Sequence, residues 1–327
     1  MQDTGTRMAK GEARSAFSHM LAHSPHAESP DLELDPGFDI AEPAQVSCPL
    51  VFSSPHSGCV YPRRFLAATK LDALALRRSE DAHVDALFAG ARSVGAPLLR
   101  AHFPRAYLDV NREPYELDPK MFDGRLPGFA NTRSLRVAGG LGTIARIVGD
   151  GQEIYGKRWP IDEALARIDG LYKPYHRSLH VLMQRALGGF GLAILLDCHS
   201  MPASAAAWEA SGEPAHQRHA DIVLGDRYGT SCNPAIIDLV DYELRSRGYL
   251  VRRNKPYAGG FITEHYGAPA CGWHALQVEI NRALYMNERN LQRHAGFASL
   301  ARNLFDMTRA LADFAASGLG RLRSAAE

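Results

Sequence analysis

The sequence has 327 residues and is 46% apolar, enough to bury one large core or two modest ones. Its 37 lysines and arginines nearly balance its 36 aspartates and glutamates, which gives no electrostatic argument for a nucleic acid or an anionic membrane as partner. The apolar runs, such as residues 191–196, are too short to span a bilayer. Five scattered cysteines without C-x-x-C spacing argue against a disulfide framework, so we expect a cytoplasmic protein without a secretory signal.

The N-terminal part of the chain divides into an arm and the start of a domain. Residues 1–45 are polar, contain several prolines and lack periodicity, so we predict a flexible arm there and a single α/β catalytic domain over residues 46–327. The domain opens with a predicted strand ending in "LVFSS". Apolar residues spaced 3, 1, 3 and 3 apart from Val84 to Val94 then predict an amphipathic helix. Two strand candidates follow, "PLLRAHF" and "AYLDVNR", separated at Pro104.

The rest of the chain alternates strands with helices. Residues 113–158 are rich in Gly, Pro and Arg and are predicted to form long functional loops. Helices are predicted over residues 161–187, with a kink at Pro174, over 233–248 and over about 287–316. Strands are predicted in "GLAILLD", "DIVLGD", "YLVRRN" and "ALQVEIN". This alternation predicts a three-layer α/β fold with a mainly parallel, mixed sheet.

Polar side chains follow several of these strands. His56 comes after "LVFSSP", Asn111 and Arg112 after "AYLDV", His199 at the end of "AILLDC", and Glu279 in "ALQVEIN". Ligands of open α/β sheets gather outside the carboxyl ends of the strands. A single histidine in such a place is more often a hydrogen-bonded structural residue, but the combination indicates a functional site.

The two histidines could belong to a metal site. Two imidazoles from different strand ends, joined by a carboxylate, would make a three-ligand zinc site with an open position. Glu80 and Asp81 in "RSEDAHVD" are the candidates for the carboxylate. These acidic residues could equally cap the helix that follows and complement its dipole.

Glu279 is a candidate general base. Leu276, Val278 and Ile280 share one face of the predicted strand, so Glu279 lies on the other face, where burial is costly for a carboxylate unless it is paired or functional. It could take a proton from water and return it to a leaving amine. A salt bridge with an arginine is the alternative.

The stretch "PRAYLDVNREP" supplies groups that bind anions. Arg112 can grip a carboxylate with two hydrogen bonds, and Asn111 can add amide hydrogen bonds. Arg105 could stabilise an oxyanion near the metal. Both arginines could instead be ordinary ion-pair partners of Asp109 or Glu113.

Other motifs compete with this site. His176 and His180 have the spacing of the zincin motif, but Arg177 stands where that motif has its glutamate. Cys198 is adjacent to His199, and neighbours on a strand point to opposite faces, so a thiol–imidazole pair is not expected. The "GGLGT" loop lacks the Lys-Ser/Thr of a phosphate loop, and we expect it to bring Arg146 towards a bound anion.

Eight segments together resemble the N-formylglutamate amidohydrolase family, in the family's order and over about residues 51–288. They are "SSPHSG", "SEDAHVDALF", "RAYLDVNREP", "GTIARIV", "LLDCHSMP", "DIVLGDRYGTSC", "GGFITEHYG" and "HALQVEINRALYMNE". Through the relationship of that family to zinc carboxypeptidases and aspartoacylase, the resemblance implies a phosphorylase/hydrolase-like α/β fold and one catalytic Zn²⁺ per chain.

The resemblance also implies roles for individual residues. His56 and His199 match the ligand histidines, Glu279 the catalytic glutamate, and Arg105 an arginine near the scissile carbonyl. Asn111 and Arg112 match a pair that binds the substrate carboxylate, and Arg146 is the candidate for a second carboxylate. The H-x-x-E spacing of carboxypeptidases is absent after His56, so Asp81, matching the acidic residue before the helix, is the expected third ligand in preference to Glu80.

The activity implied is zinc-dependent hydrolysis of N-formyl-L-glutamate to formate and L-glutamate, with roles in histidine degradation. The alternatives are a related zinc deacylase or carboxypeptidase-like hydrolase with another small-molecule substrate, and a binder of small anionic amino-acid derivatives without catalysis. The acyl group, the amino acid and the oligomeric state stay open at this point.

Overall fold

The computed structural model describes residues 31–205, 207–208 and 218–324. A seven-stranded sheet lies at the centre of the protein. Its strands, numbered along the chain, are β1 (Phe38–Ala41), β2 (Leu50–Ser54), β3 (Leu98–Ala101), β4 (Ala193–Met201), β5 (Ile222–Gly225), β6 (Val251–Arg253) and β7 (Trp273–Asn281). In the part of the chain that the structure describes, three pairs of two-residue strands lie outside it: Phe122–Asp123 with Trp159–Pro160, Ala207–Trp208 with Arg218–His219, and Met286–Asn287 with Gln292–Arg293.

The order of the strands across the sheet is β1-β3-β2-β4-β7-β5-β6. The four central strands β3, β2, β4 and β7 run parallel to one another, whereas β1 is antiparallel to β3, and β5 is antiparallel to β7. The prediction of a mainly parallel, mixed sheet is therefore confirmed. The carboxyl ends of β2, β4 and β7 consequently meet at one edge of the sheet.

Helices cover both faces of the sheet, which confirms the three-layer α/β architecture. They are α1 (Arg63–Ala68), α2 (Ala73–Arg77), α3 (Val84–Leu87), α4 (Leu135–Ala138), α5 (Ile161–Arg167), α6 (Lys173–Phe190), α7 (Pro234–Ser246), α8 (Phe261–Tyr266) and α9 (Gly296–Ser324). Helix α6 packs on β2 and β4, and α9 packs on α3 and α7 over the opposite face. Within the described residues, no helix has the length and apolar content needed to cross a membrane.

Alternate residues of the central strands enter two separate apolar cores. Ile194, Leu196 and Cys198 of β4 contribute to the core beneath α7 and α9. Ala193 and Leu195 contribute to the core beneath α6. Towards the carboxyl end of β4, the residues on this second face are polar instead of apolar. They share that face with the apolar ones because side chains alternate along a strand with a period of two.

Several element boundaries differ from the prediction. The segment "AYLDVNR" is not a strand: the backbone N–H groups of Tyr107 and Leu108 both donate to the carbonyl of Pro104, which closes a turn, and Asp109 N–H donates to Thr143 outside the sheet. The predicted helix from Val84 to Val94 is a short helix followed by a 3₁₀ segment, Ala89–Val94. The last helix begins at Gly296 instead of about residue 287, because a small hairpin precedes it.

Residues 1–30 of the predicted arm lie outside the described residues. In the remainder of the arm, Leu34 is fully buried and Phe38–Ala41 form β1, an edge strand of the central sheet. The described part of the arm up to residue 41 is thus packed against the domain. The polar composition of the arm did not indicate this packing, because an edge strand of a sheet needs only one partly buried face. The division at residue 45 stays a prediction.

Candidate active site

Two histidines and an aspartate converge at the carboxyl edge of the sheet. His56 follows β2, Asp81 precedes α3, and His199 lies on β4. Asp81 Oδ2 is 3.0 Å from His199 Nδ1 and 3.3 Å from His56 Nδ1. The three side chains are almost fully buried, and one ligand atom from each lies within 4.8 Å of the others. The structure therefore brings together the three residues predicted to bind a metal.

The neighbouring glutamate points elsewhere. Glu80 accepts hydrogen bonds from Tyr61 and from the guanidinium of Arg77, and both contacts lie outside the histidine cluster. Asp81 instead has its Oδ1 atom bound by Ser200 (3.1 Å) and Arg282 (3.2 Å), which leaves Oδ2 directed at the two imidazoles. The geometry favours Asp81 over Glu80 as the carboxylate of the cluster.

Two further carboxylates orient the imidazoles. His56 Nε2 is 2.8 Å from Asp109, and His199 Nε2 is 3.0 Å from Asp197. A carboxylate behind a histidine fixes the tautomer that leaves the other ring nitrogen free to bind a metal. Sequence reasoning missed both roles. A signal was present in "LLDCHS", because Asp197 and His199 are two apart on a strand and so share a face.

The donors of this cluster fit a divalent transition metal. His56 Nδ1 is buried and forms no well-aligned hydrogen bond within the described residues, although Asp81 Oδ2 lies 3.3 Å away. Burial acts to raise the pKa of Asp81, but hydrogen bonding and attraction from His199 and His56 hold that pKa well below its usual value, so the carboxylate stays ionised. Two imidazole nitrogens and one carboxylate oxygen are a common set of protein ligands for Zn²⁺.

Glu279 lies beside this cluster. In the register of the sheet it is directly opposite His199, on the same face, and Gln277 donates a hydrogen bond of 2.9 Å to its Oε1. Burial raises the pKa of Glu279 to about 7, with Asp81 adding repulsion and His199 and Arg105 opposing it. A carboxylate with a pKa near neutrality is suited to accept and return a proton.

A cavity of about 430 Å³ opens over the cluster. Asp81, Asp109 and Glu279 contribute to its wall. Its cationic lining residues are Arg78, Arg105, Arg112 and Arg282. The volume suits a small ligand, and the cations indicate an anionic one.

The predicted anion-binding residues differ in their positions. Arg105 and Arg112 line the cavity, and their Nη2 atoms lie 2.8 and 3.7 Å from Asp109 Oδ2. Asn111 lies behind His199: its amide nitrogen is 3.1 Å from His199 Nε2, and its oxygen accepts from Ile262 N–H. The structure does not bring Arg146 to the cavity, since its guanidinium is paired with Asp118 (2.7 Å) and Glu153 (3.1 Å).

The competing motifs have other environments. His176 is fully buried, 2.8 Å from the carbonyl of Val110 and 3.2 Å from Tyr266 Oη, and burial lowers its pKa to about 4. Cys198 lies in the apolar core on the opposite face of β4, as expected, and burial raises the pKa of its thiol well above the usual value. Neither side chain is among the described residues that line the cavity over Glu279.

Known proteins of one family resemble this chain. The profile of the N-formylglutamate amidohydrolase family matches residues 48–286. N-formylglutamate deformylase of Pseudomonas aeruginosa is 29% identical over 266 residues, which are 80% of this chain and 89% of that protein. The protein of the same name from Pseudomonas putida is 28% identical over 246 residues, 73% of this chain and 82% of that one.

Solved structures agree with this comparison. The crystal structure of N-formylglutamate amidohydrolase from Ralstonia eutropha JMP134 has a TM-score of 0.80 and 39% identity, over 86% of this chain and 99% of that one. A gene product of Agrobacterium tumefaciens with 17% identity and a TM-score of 0.55 shares the fold. The fold and the comparisons thus define a hydrolase that acts on linear amides. The chain belongs to the N-formylglutamate amidohydrolase family.

The pKa of Glu279 predicts how stability depends on pH in the metal-free protein. The ordinary value of 4.5 is raised to about 7, so between these values the folded state keeps a proton that the unfolded chain has released. The free energy of unfolding should therefore fall as the pH rises through this range, by on the order of 3 kcal/mol. At a pH near 4.5, Glu279→Gln should be as stable as the parent protein. At a pH above about 7, it should be more stable than the parent protein. Urea unfolding with a chelator at several pH values measures the difference, and a difference that is independent of pH would contradict the raised pKa.

Proposed function

We propose that this protein is a zinc-dependent amidohydrolase that cleaves N-formyl-L-glutamate to formate and L-glutamate. The observation that carries the proposal is the position of Glu279, directly beside the His56–Asp81–His199 cluster and at the wall of a cavity lined by arginines. A proton carrier, a metal site and an anion-binding wall are the three elements that hydrolysis of an anionic amide needs. The names of the relatives supply the substrate.

His56, Asp81 and His199 are the residues that would hold Zn²⁺. A metal ion bound there supplies a Lewis acid that polarises the scissile carbonyl and makes water acidic at neutral pH. Asp109 would keep His56 in the required tautomer, Asp197 lies 3.0 Å from Nε2 of His199, and Arg282 and Ser200 hold Asp81.

Glu279 carries the proton through the reaction. As a carboxylate it removes a proton from the attacking water, and as a carboxylic acid it gives that proton to the nitrogen of the leaving amine. In the metal-free protein burial raises the pKa of Glu279 to about 7, a value suited to a group that both accepts and returns a proton near neutrality. Gln277 fixes the carboxylate by its hydrogen bond to Oε1.

The arginines bind the charges of the substrate. Arg105 lies in the cavity next to Asp109 and would stabilise the negative charge that develops on the carbonyl oxygen. Arg112 would bind the α-carboxylate, and Asn111, the predicted partner in this contact, lies behind His199 and would act through that ring. For the second carboxylate of the substrate, Arg146 stays a candidate from the sequence, and Arg78 is a cation that already lines the cavity.

The alternatives are distinguished by the same cavity. A binder without catalysis has no use for a buried carboxylate with a raised pKa beside two imidazoles, so the position of Glu279 favours the enzyme. A related deacylase with another acyl group or amino acid differs only in what the cavity accepts.

All five cysteines are free thiols, which supports the expected cytoplasmic location.

The activity is tested with Glu279→Gln. The parent protein should hydrolyse N-formyl-L-glutamate faster than N-acetyl-L-glutamate and N-formyl-L-leucine, measured as amine release. Glu279→Gln should lower kcat by at least about 10³-fold and leave bound zinc unchanged, because it removes the proton carrier and no ligand. Cys198→Ala is the matched control and should retain turnover. A Glu279→Gln variant with parental kcat would rule out the assigned base.

The third metal ligand is tested by metal content. Asp81→Asn should lose at least about tenfold in affinity for Zn²⁺, because a carboxamide is a poor ligand and the anion between the imidazoles is gone. Glu80→Gln changes the adjacent residue in the same way, and it should bind zinc like the parent because Glu80 contacts Tyr61 and Arg77 instead. Atomic emission after dialysis against a weak chelator measures both. The opposite pattern would transfer the ligand role to Glu80.

Anchoring of the substrate is tested by a pair of arginine variants. Arg112→Gln should raise KM for N-formyl-L-glutamate by about 10²-fold with a smaller change in kcat, because a bidentate contact is lost in both the ground state and the transition state. If Arg146 binds the second carboxylate, then Arg146→Gln should also raise KM, and only for dicarboxylate substrates. An unchanged KM in Arg146→Gln, with a raised KM in Arg78→Gln, would assign this contact to Arg78.

A further inference from the structure

A second cavity, of about 420 Å³, lies away from the active site. Helices α1 and α5 and the short strand Trp159–Pro160 contribute to its wall. Among the described residues, none lines both this cavity and the one over Glu279. The proposed reaction therefore gives this second cavity no role.

A buried guanidinium forms part of the wall of this second cavity. Arg167 is only 2% exposed, and its Nη1 atom donates to the carbonyl of Tyr107 (3.1 Å) and to Tyr155 Oη (3.0 Å). Nε is buried and has no hydrogen-bond partner within the described part of the chain, and no carboxylate there lies within ion-pair distance of Arg167. The charge of Arg167 is compensated at longer range by the buried carboxylate of Asp31, which accepts a hydrogen bond from Tyr107, so the feature that calls for an explanation is the buried donor without an acceptor.

The guanidinium is held in a fixed orientation by aromatic rings. Its central carbon is 3.8 Å from the ring centre of Tyr107 and 4.5 Å from that of Trp159. Stacking of this kind keeps the plane of the guanidinium rigid. The Nε–Nη2 edge is the pair of donors with which arginine grips a carboxylate or phosphate by two parallel hydrogen bonds.

A second buried donor lies in the same wall. Trp159 is 8% exposed, and its indole Nε1 also has no hydrogen-bond partner among the described residues. Buried polar groups without partners are rare in folded proteins, and here two occur in neighbouring residues that line one cavity. Both are donors, so the missing partner is an acceptor.

The other charged residues of the wall are three cations and two carboxylates. Arg64, Lys157 and Arg158 lie there with two acidic residues, Asp123 and Glu163. Glu163 is already paired with Arg64 at 3.3 Å, and Arg64 is also paired with Asp31 at 3.2 Å. Lys157 and Arg158 are exposed and add positive charge at the opening, which attracts an anion and leaves the specific contacts to the buried donors.

We propose that this cavity is a second binding site for a small anion, a carboxylate or phosphate group held by the Nε–Nη2 edge of Arg167 and by the indole N–H of Trp159. The site is separate from the active site and independent of the proposed reaction. Its ligand chemistry is that of a planar or tetrahedral oxyanion with at least two acceptor oxygens. The exposed cations at the opening would favour an anion of more than one charge.

The test follows the indole N–H of Trp159 by ¹H–¹⁵N NMR of the full chain. The sequence has three tryptophans, and Trp159→Phe identifies the resonance. Inorganic phosphate and succinate are titrated separately, so that the two arms distinguish a phosphate site from a carboxylate site. At least one anion should shift this resonance saturably below about 20 mM, since millimolar affinity needs only a few kcal/mol. If neither anion does so, the proposal is wrong.

Variants then locate the contact. Arg167→Lys keeps the charge and removes the two-donor edge, so it should raise Kd at least tenfold, whereas Arg302→Gln on α9 should have no effect. If Arg167→Lys does not fold, the exposed pair Lys157→Gln and Arg158→Gln should still raise Kd severalfold at low salt. In Arg112→Gln the shift should persist, because that arginine lines the other cavity. A shift lost in Arg112→Gln, or a Kd unchanged in a folded Arg167→Lys, would overturn the proposal.

Discussion

The carboxylate of Asp81 holds the candidate active site together. Its Oδ2 atom lies between two imidazoles that come from different strand ends, and its Oδ1 atom is fixed by Ser200 and Arg282. Placing an anion in the interior is costly unless charge and hydrogen bonds compensate it, and here the two imidazoles, Ser200 and Arg282 supply that compensation. The same contacts that make burial tolerable also aim one oxygen at the position a metal would take.

Asp109 connects that centre to the arginine-lined wall of the cavity. One of its oxygens faces His56, and the other receives Arg105, with Arg112 slightly farther away. The segment that carries these residues is irregular, so it depends on support from other elements. Tyr172 donates to the carbonyl of Arg112, and Arg167 donates to that of Tyr107. These contacts place the segment without a strand ladder, and they also link the wall of the second cavity to the backbone next to Arg105.

The sequence was sufficient for features that depend on local pattern. Alternation in "ALQVEIN" placed Glu279 on the polar face of a buried strand, and the sheet register opposite His199 agrees. The sequence was insufficient where polar groups can choose among partners that are distant along the chain. "AYLDVNR" alternates like a strand, yet Asp109 is drawn towards His56 and Arg105, and the backbone turns at Pro104. The orientation of Arg146 depends on Asp118 and Glu153, and the contact with Asp118, 28 residues away, is not readable from periodicity.

The charge of the active-site cavity bears on which substrate it accepts. Of the described residues, four arginines and three carboxylates line it, so this wall carries an excess of about one positive charge. A monocarboxylate would balance that excess. A divalent metal on the buried cluster would raise the excess to about three, and a substrate with two carboxylates then becomes the better match. Preference for a dianionic amide is thus expected to depend on the metal as well as on any single arginine. The metal site and the arginines are coupled through Asp109. Its carboxylate orients His56 and also partly neutralises Arg105 and Arg112.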